Sequence, residues 1–380
     1  MAKQEKEWID TFQWFHQHPE LGYEEWETTA KIREILQEEG VEILPSGLKT
    51  GVIGVVRGKQ AGAPRKRICL RADIDALPIA EATQLPYASE YPGRMHACGH
   101  DFHITAALEA ASVLAEQKET FGGEVYFAFQ PAEEVIGGAK MVCATGLLDD
   151  IEEFYGFHAE PSLKAGQISI ESGSVMAAVD QFSVTITGKG GHAAAPHLSN
   201  SPIPVLVSMV NQIQILAAGQ INPLFPKVVA ITHISAGETW NVIPDSAFFE
   251  GTVRSMNQED REKIRQTILK IVKSYEETTG VLTEVKWHQG PAAVVNDAEL
   301  SEAARAVCEE TGLERISLMP AMLSDDFSEY ADSVHGSHSL YVKIGTGIGP
   351  TLHSPLFQVD VSAIKTAAAF LAQLLFCRSR

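Results

Sequence analysis

Three strand-like apolar runs, over residues 52–56, 67–74 and 124–130, constrain the fold most, because a long Ala-rich helical stretch over 102–117 separates the last two. Continuous rather than alternating apolarity marks strands buried on both faces, and strand–helix–strand order predicts a sheet with helices packed on it. The texture changes at Ala178. There Phe182, Val184 and Ile186 alternate with Ser183, Thr185 and Thr187, the period-two pattern of a half-exposed antiparallel strand. Helical patterns over 203–217 and 258–279 and strand patterns over 228–234 and 247–255 complete a compact α+β block. Beyond Asn296 the α/β texture returns and closes on a helix over 362–375. At 380 residues the chain exceeds what one core usually organises. The expectation is therefore a two-domain α/β protein, with residues 1–177 and 291–380 forming a discontinuous larger domain and 178–290 inserted as a smaller α+β domain. The opening stretch, 7–39, predicts two helices broken at His18-Pro19-Glu20-Leu21-Gly22, the second stopping at Gly40.

The formal net charge of −19, from 49 acidic and 30 basic residues, repels phosphate backbones and anionic lipid, so nucleic-acid and membrane partners are not expected. An anionic substrate would need a local basic group against that field. Five scattered cysteines (Cys69, Cys98, Cys143, Cys308, Cys377) make no disulfide framework and fit a reducing compartment. The first residues, Met1-Ala2-Lys3-Gln4-Glu5-Lys6-Glu7-Trp8, lack the apolar core of a signal peptide, which leads us to expect a cytoplasmic protein.

Chemistry concentrates in two segments, Met95-His96-Ala97-Cys98-Gly99-His100-Asp101-Phe102-His103 and Gln130-Pro131-Ala132-Glu133-Glu134. Cys, His and Glu are good ligands for Zn, Mn, Co or Ni, and a neighbouring carboxylate that binds no metal can move a proton for an activated water. Cys98 and His100, two apart between strand and helix, can turn toward one ion or toward each of a pair; a buried thiol beside a helix start is the plainer reading. Glu133 and Glu134 leave a strand side by side and point in different directions, although acidic pairs on surfaces are common. His158 and His353 stand among 13 histidines and carry little weight alone. Gly188-Lys189-Gly190-Gly191-His192 lacks the Ser or Thr of a phosphate loop, Gly345-Thr346-Gly347-Ile348-Gly349 lacks dinucleotide-binding spacing, and no Gly-x-Ser-x-Gly elbow supports a serine hydrolase.

Further ordered segments join these: His16-Gln17-His18-Pro19-Glu20-Leu21-Gly22, Arg71-Ala72-Asp73-Ile74-Asp75-Ala76-Leu77-Pro78, Gly156-Phe157-His158, Gly188-Lys189-Gly190-Gly191-His192, Asn241-Val242-Ile243-Pro244-Asp245 and Leu352-His353-Ser354-Pro355. Together they resemble the M20 metallopeptidase and aminoacylase family nearly end to end. The likeness is to its amidohydrolase branch, subfamily D, which includes hippurate hydrolases, indole-acetyl-amino-acid hydrolases and N-acetyldiaminopimelate deacetylases. The resemblance implies a phosphorylase/hydrolase-like α/β catalytic domain carrying an inserted lid or dimerisation domain. It implies two divalent ions (Zn, Mn, Co or Ni) held by Cys98, His100, Glu134, His158 and His353, with the thiolate of Cys98 in the position of a bridging aspartate. It makes Glu133 the general base and then acid, and places Asp101 and His103 behind the ligands, holding the loop and orienting a ligand. His192 would stabilise the oxyanion, after lid closure or from a neighbouring subunit, and Asn241 and Arg254 would hold a substrate carboxylate. A surface ion pair is the plainer reading of Arg254.

The implied substrates are small N-acyl-amino acids, with a carboxypeptidase or dipeptidase of the same fold as the alternative, and a non-catalytic ligand-binding relative as the reading from another class. A homodimer or homotetramer through the inserted domain is expected. One departure is Val361, where many relatives carry an acidic residue after Phe357-Gln358-Val359-Asp360. That leaves any helix-capping role at this position in doubt.

Overall fold

The computed structural model describes residues 5–62, 65–219, 221–222, 224–333 and 337–380, so the first four residues of the segment read for a leader lie outside the described residues. The chain divides into two compact units, one running to Gly173 and again over Val295–Met319 and Asp326–Arg380, the other over Ser174–Val294 and Pro320–Asp325.

The larger unit is built on an eight-stranded mixed sheet. Its first six strands in chain order are β1 (Glu42–Ile43), β2 (Val52–Arg57), β3 (Arg67–Asp73), β4 (Glu124–Gln130), β5 (Glu153–Glu160) and β6 (Gln167–Ser169). Spatial order is β1-β2-β4-β3-β5, then His338–Gly345, β6 and Glu314–Arg315. The centre is parallel: β3 pairs with β4 and β5, and His338–Gly345 with β5. Helices α1 (Glu5–Gln17), α2 (Trp26–Glu38) and α3 (His100–Glu116) precede a short helix, α4 (Gly138–Cys143), and Ser362–Arg378 closes the chain. Helix α3 is buried almost all round, which its Ala-rich sequence permits, because sheet and helices enclose it. Its N-terminus and the carboxyl ends of β3, β4 and β5 meet at one edge of the sheet, where loops form sites in α/β folds. Val361 cannot cap the last helix; Asp360 Oδ1 does so, accepting the Ser362 N–H at 3.0 Å.

The smaller unit has a four-stranded antiparallel sheet in the order Lys227–Ala236, Ser246–Ser255, Ala178–Thr187, Leu282–Gln289. Phe182, Val184, Ile186, Phe249 and Val253 pack its inner face on the helices Pro202–Gly219 and Gln258–Thr279, giving a core separate from that of the larger unit. Residues 320–325, read from sequence as part of the larger domain, belong here. The Ala321 N–H donates to Val175 O, and the Ala177 N–H to Leu323 O. The five cysteines are free thiols; Cys69, Cys98 and Cys308 are buried, and Cys377 is exposed rather than packed. No described helix is long and apolar enough to cross a membrane.

Candidate metal centre and active site

Gly99 lets the chain enter α3 with φ +85, a conformation that brings Cys98 and His100 to the helix start. A Cβ on Gly99 would stand 2.8 Å from the Ala159 Cβ, so the loop packs directly on β5, whose residue His158 lies next to that contact. Glu133 and Glu134 follow the end of β4, and His353 sits in a loop at φ +62 with its N–H donating to Ala97 O at 2.8 Å.

These residues converge. Ligand atoms of Cys98, His100 and His158 all lie within 4.8 Å of one another, as do those of Cys98, Glu134 and His353, and those of His100, Glu133 and Glu134. Cys98, His100 and Glu134 each belong to two of the three groups. The imidazoles are preset by their outer nitrogens: His100 Nδ1–H donates to Asp75 O at 2.7 Å and His158 Nδ1–H to Ala159 O at 2.7 Å, leaving each Nε2 lone pair facing inward. Burial pushes His158 down to about 4, so it stays a neutral donor near neutral pH. His158 Nε2 is 3.4 Å from Cys98 Sγ. Glu134 Oε1 is buried without a hydrogen-bond partner while facing His353 Nε2 at 3.5 Å and His100 Nε2 at 3.9 Å. Burial, with the nearby carboxylates of Glu134 and Glu133, pushes the Cys98 thiol well above its ordinary value, so a thiolate here requires a cation beside it. An orphaned carboxylate oxygen, oriented imidazoles and a thiol shared by two donor groups fit a pair of divalent ions.

A further close group, Asp73, His100 and His103, is already committed. His103 Nδ1–H donates to Asp73 Oδ1, and its Nε2 accepts the Ala159 N–H at 2.8 Å. His103 thus fixes the backbone next to His158. Asp101, expected to hold the loop and orient a ligand, accepts the Phe102 N–H and a 2.6 Å bond from His16. Burial opposes charge on His16, yet its bonds to Asp101 and Glu81 carry it up to about 9.

Asp75 and Arg71, to which the sequence assigns no role, also hold this cluster. Asp75 takes the Glu133 N–H on Oδ1 and the Glu134 N–H on Oδ2, both at 3.0 Å, while its carbonyl orients His100. Fully buried Arg71 bonds Asp73, Asp326 and Gln130, holding Asp73 against His103. The visible signal was Asp73-Ile74-Asp75 closing a buried strand.

In the smaller unit, His192 lies on a two-stranded ribbon opposite Val242, and the Ala193 N–H bonds Asn241 O at 3.1 Å, so His192 and Asn241 share one local element. His192 Nδ1 accepts the Ala194 N–H at 3.0 Å, which leaves Nε2–H as a free donor. Arg254 is half-buried and donates to Met322 O at 3.0 Å; no carboxylate of the described residues lies within ion-pair distance, so the surface-pair reading has no support.

The buried thiol, imidazole and carboxylate cluster with a spare glutamate, at the carboxyl edge of an α/β sheet, defines the class as a metal-dependent amidohydrolase. The chain belongs to peptidase family M20/M25/M40, whose pattern matches residues 69–376. It is 40% identical to an N-acetyl-L-cysteine deacetylase of Bacillus subtilis over 97% of this chain and 87% of the relative, and 35% identical to thermostable carboxypeptidase 1 of Saccharolobus solfataricus over 93% and 90%. The fold is similar to that of the Bacillus subtilis protein YXEP, described as a dinuclear metal binding peptidase, with TM-score 0.88, 35% identity and coverage of 99% of this chain and 98% of that one.

Proposed function

We propose that this chain hydrolyses the amide bond of small N-acyl-amino acids in the cytoplasm, using two divalent ions. The observation that carries the reading is the overlap of three donor groups, linked through Cys98, His100 and Glu134, with Glu133 beside Glu134 and within 4.8 Å of His100. Cys98, His100, Glu134, His158 and His353 would hold the pair. Such ions, once bound, would make water more acidic and polarise an amide carbonyl. Glu133 takes the proton of the attacking water and returns it to the departing amine nitrogen. His192 offers Nε2–H to the carbonyl oxygen as negative charge grows there, by closure of the smaller domain or from a neighbouring subunit. Asn241 and Arg254 hold the free carboxylate, Arg254 countering the −19 net charge.

A carboxypeptidase is the second reading, favoured by the likeness to thermostable carboxypeptidase 1. Assembly as a homodimer or homotetramer through the smaller domain finds support in the exposed Val228 and Ile234 of its edge strand and Ile203, Val207 and Ile215 of its helix.

The test is amine release from N-acetyl, N-benzoyl and N-indoleacetyl amino acids and from dipeptides, with protein reloaded separately with Mn, Co, Ni and Zn. Turnover of an acyl-amino-acid class, lost in Glu133→Gln, is the expected result. Turnover of dipeptides alone would favour the carboxypeptidase, and no turnover by metal-loaded protein would overturn both.

A further inference from the structure

The His18–Gly22 break and the residues after it enter none of the chemistry above, yet they press against the turn that carries Glu133. That turn is conformationally expensive. Ala132 and Ile136, on either side of the Glu133–Glu134 pair, take φ +56 and +55, the left-handed region that L-residues avoid unless contacts hold them. Three successive N–H groups of the turn bond to carboxylates. Asp75 takes two, and Glu25 Oε1 takes the Ala132 N–H at 2.8 Å.

Glu25 is free to do this because another residue performs its local task. It stands at the N-cap of α2 but makes no cap bond; Glu20 instead accepts the Glu27 N–H at 3.1 Å and the Thr28 N–H at 2.8 Å. Glu25 itself is fully buried. The approach is tight enough to exclude a side chain at Gly22, where a Cβ would lie 2.8 Å from Val135 Cγ2 and 3.3 Å from both Ala132 Cα and Asp75 Oδ2. Gly51 is closed in the same way, 2.7 Å from Pro131 Cδ.

We propose that Glu25, admitted by the close approach at Gly22, is a positioning residue: its Oε1 fixes the backbone at Ala132 and thereby the direction of the Glu133 carboxylate. The inference rests on Glu133 being the base of the proposed hydrolysis. Glu25 touches neither substrate nor reacting atoms.

The test compares Glu25→Leu, which removes the acceptor, with Glu25→Gln, which keeps one. Losing the partner of a buried N–H corresponds to about 10- to 100-fold, expected in kcat for Glu25→Leu with KM within about threefold and metal content unchanged. Glu25→Gln is expected to retain kcat within about threefold. Hydrogen exchange gives an arm that needs no turnover: amides of the 131–138 turn should exchange roughly tenfold faster in Glu25→Leu, with those of β4 and α2 unchanged. If Glu25→Leu fails to fold, Gly22→Ala carries the test, since its Cβ must displace the same turn. Wild-type exchange and kcat in the folded variant, or faster exchange spread through α2 with a matching loss of stability, would overturn the proposal. If the wild type turns over no acyl-amino acid, the functional reading fails while the exchange arm still decides this one.

Discussion

Arg254 and Glu109 show how far single side chains can be read. Arg254 makes one bond to a carbonyl and meets no described carboxylate, so its charge is available to a substrate anion. Arg254→Ala is expected to raise KM for an N-acyl-amino acid by about 10- to 100-fold with kcat little changed, as for a lost charged hydrogen bond made equally in ground and transition states; steady-state kinetics check this. Glu109 on α3 has a buried oxygen without a partner, and burial, then Glu5, push it from 4.5 to about 7. The folded state therefore binds a proton that the unfolded chain releases between those values, and this contribution to stability is lost as pH rises through 7. Glu109→Gln should gain on wild type by on the order of 1 kcal/mol at pH 8, after allowance for solvent, and by less at pH 5. Denaturation midpoints at the two pH values test it, and a gain that shrinks as pH rises would contradict it. Cys98, His100, Glu133 and Glu134 were legible because ligand-type residues crowd into short segments. Glu25 and Asp75 were not: their work is accepting backbone N–H groups, and no local pattern announces which distant turn a carboxylate will hold.

Elements came through the sequence where both faces of a strand are buried or one face alternates cleanly. The helix over 258–279 agrees with Gln258–Thr279, since an Asn257 cap and a left-handed Gly280 mark its ends. The strand Leu282–Gln289 was missed because it lies at the sheet edge with few buried side chains, leaving no apolar run to read. Gly99 is where element and site meet. Gly99→Ala must accept both φ +85 and a contact 2.8 Å from Ala159 Cβ, a strain of about 1–3 kcal/mol. Because it separates Cys98 from His100, metal affinity measured by chelator competition should fall by about tenfold or more; unchanged affinity would mean that the helix start does not set the donor geometry.

At the scale of the molecule, the five candidate ligands all come from the larger unit, and each unit has its own core. Metal bound only by the folded larger unit should stabilise that unit. Calorimetry with and without chelator is expected to move its transition and leave that of the smaller unit in place. The division into an α/β unit and an α+β unit was visible in the change of texture at Ala178. The placement of 320–325 with the smaller unit was not, because it depends on single backbone bonds to Val175 and Ala177. The proposed service of two ions by the Cys98 thiol is read by metal content after reconstitution and removal of excess ion. Two divalent ions per wild-type chain are expected, with Cys98→Ala retaining fewer than two and losing turnover. A wild type that never binds more than one ion, or a Cys98→Ala chain that keeps two and remains active, would contradict it.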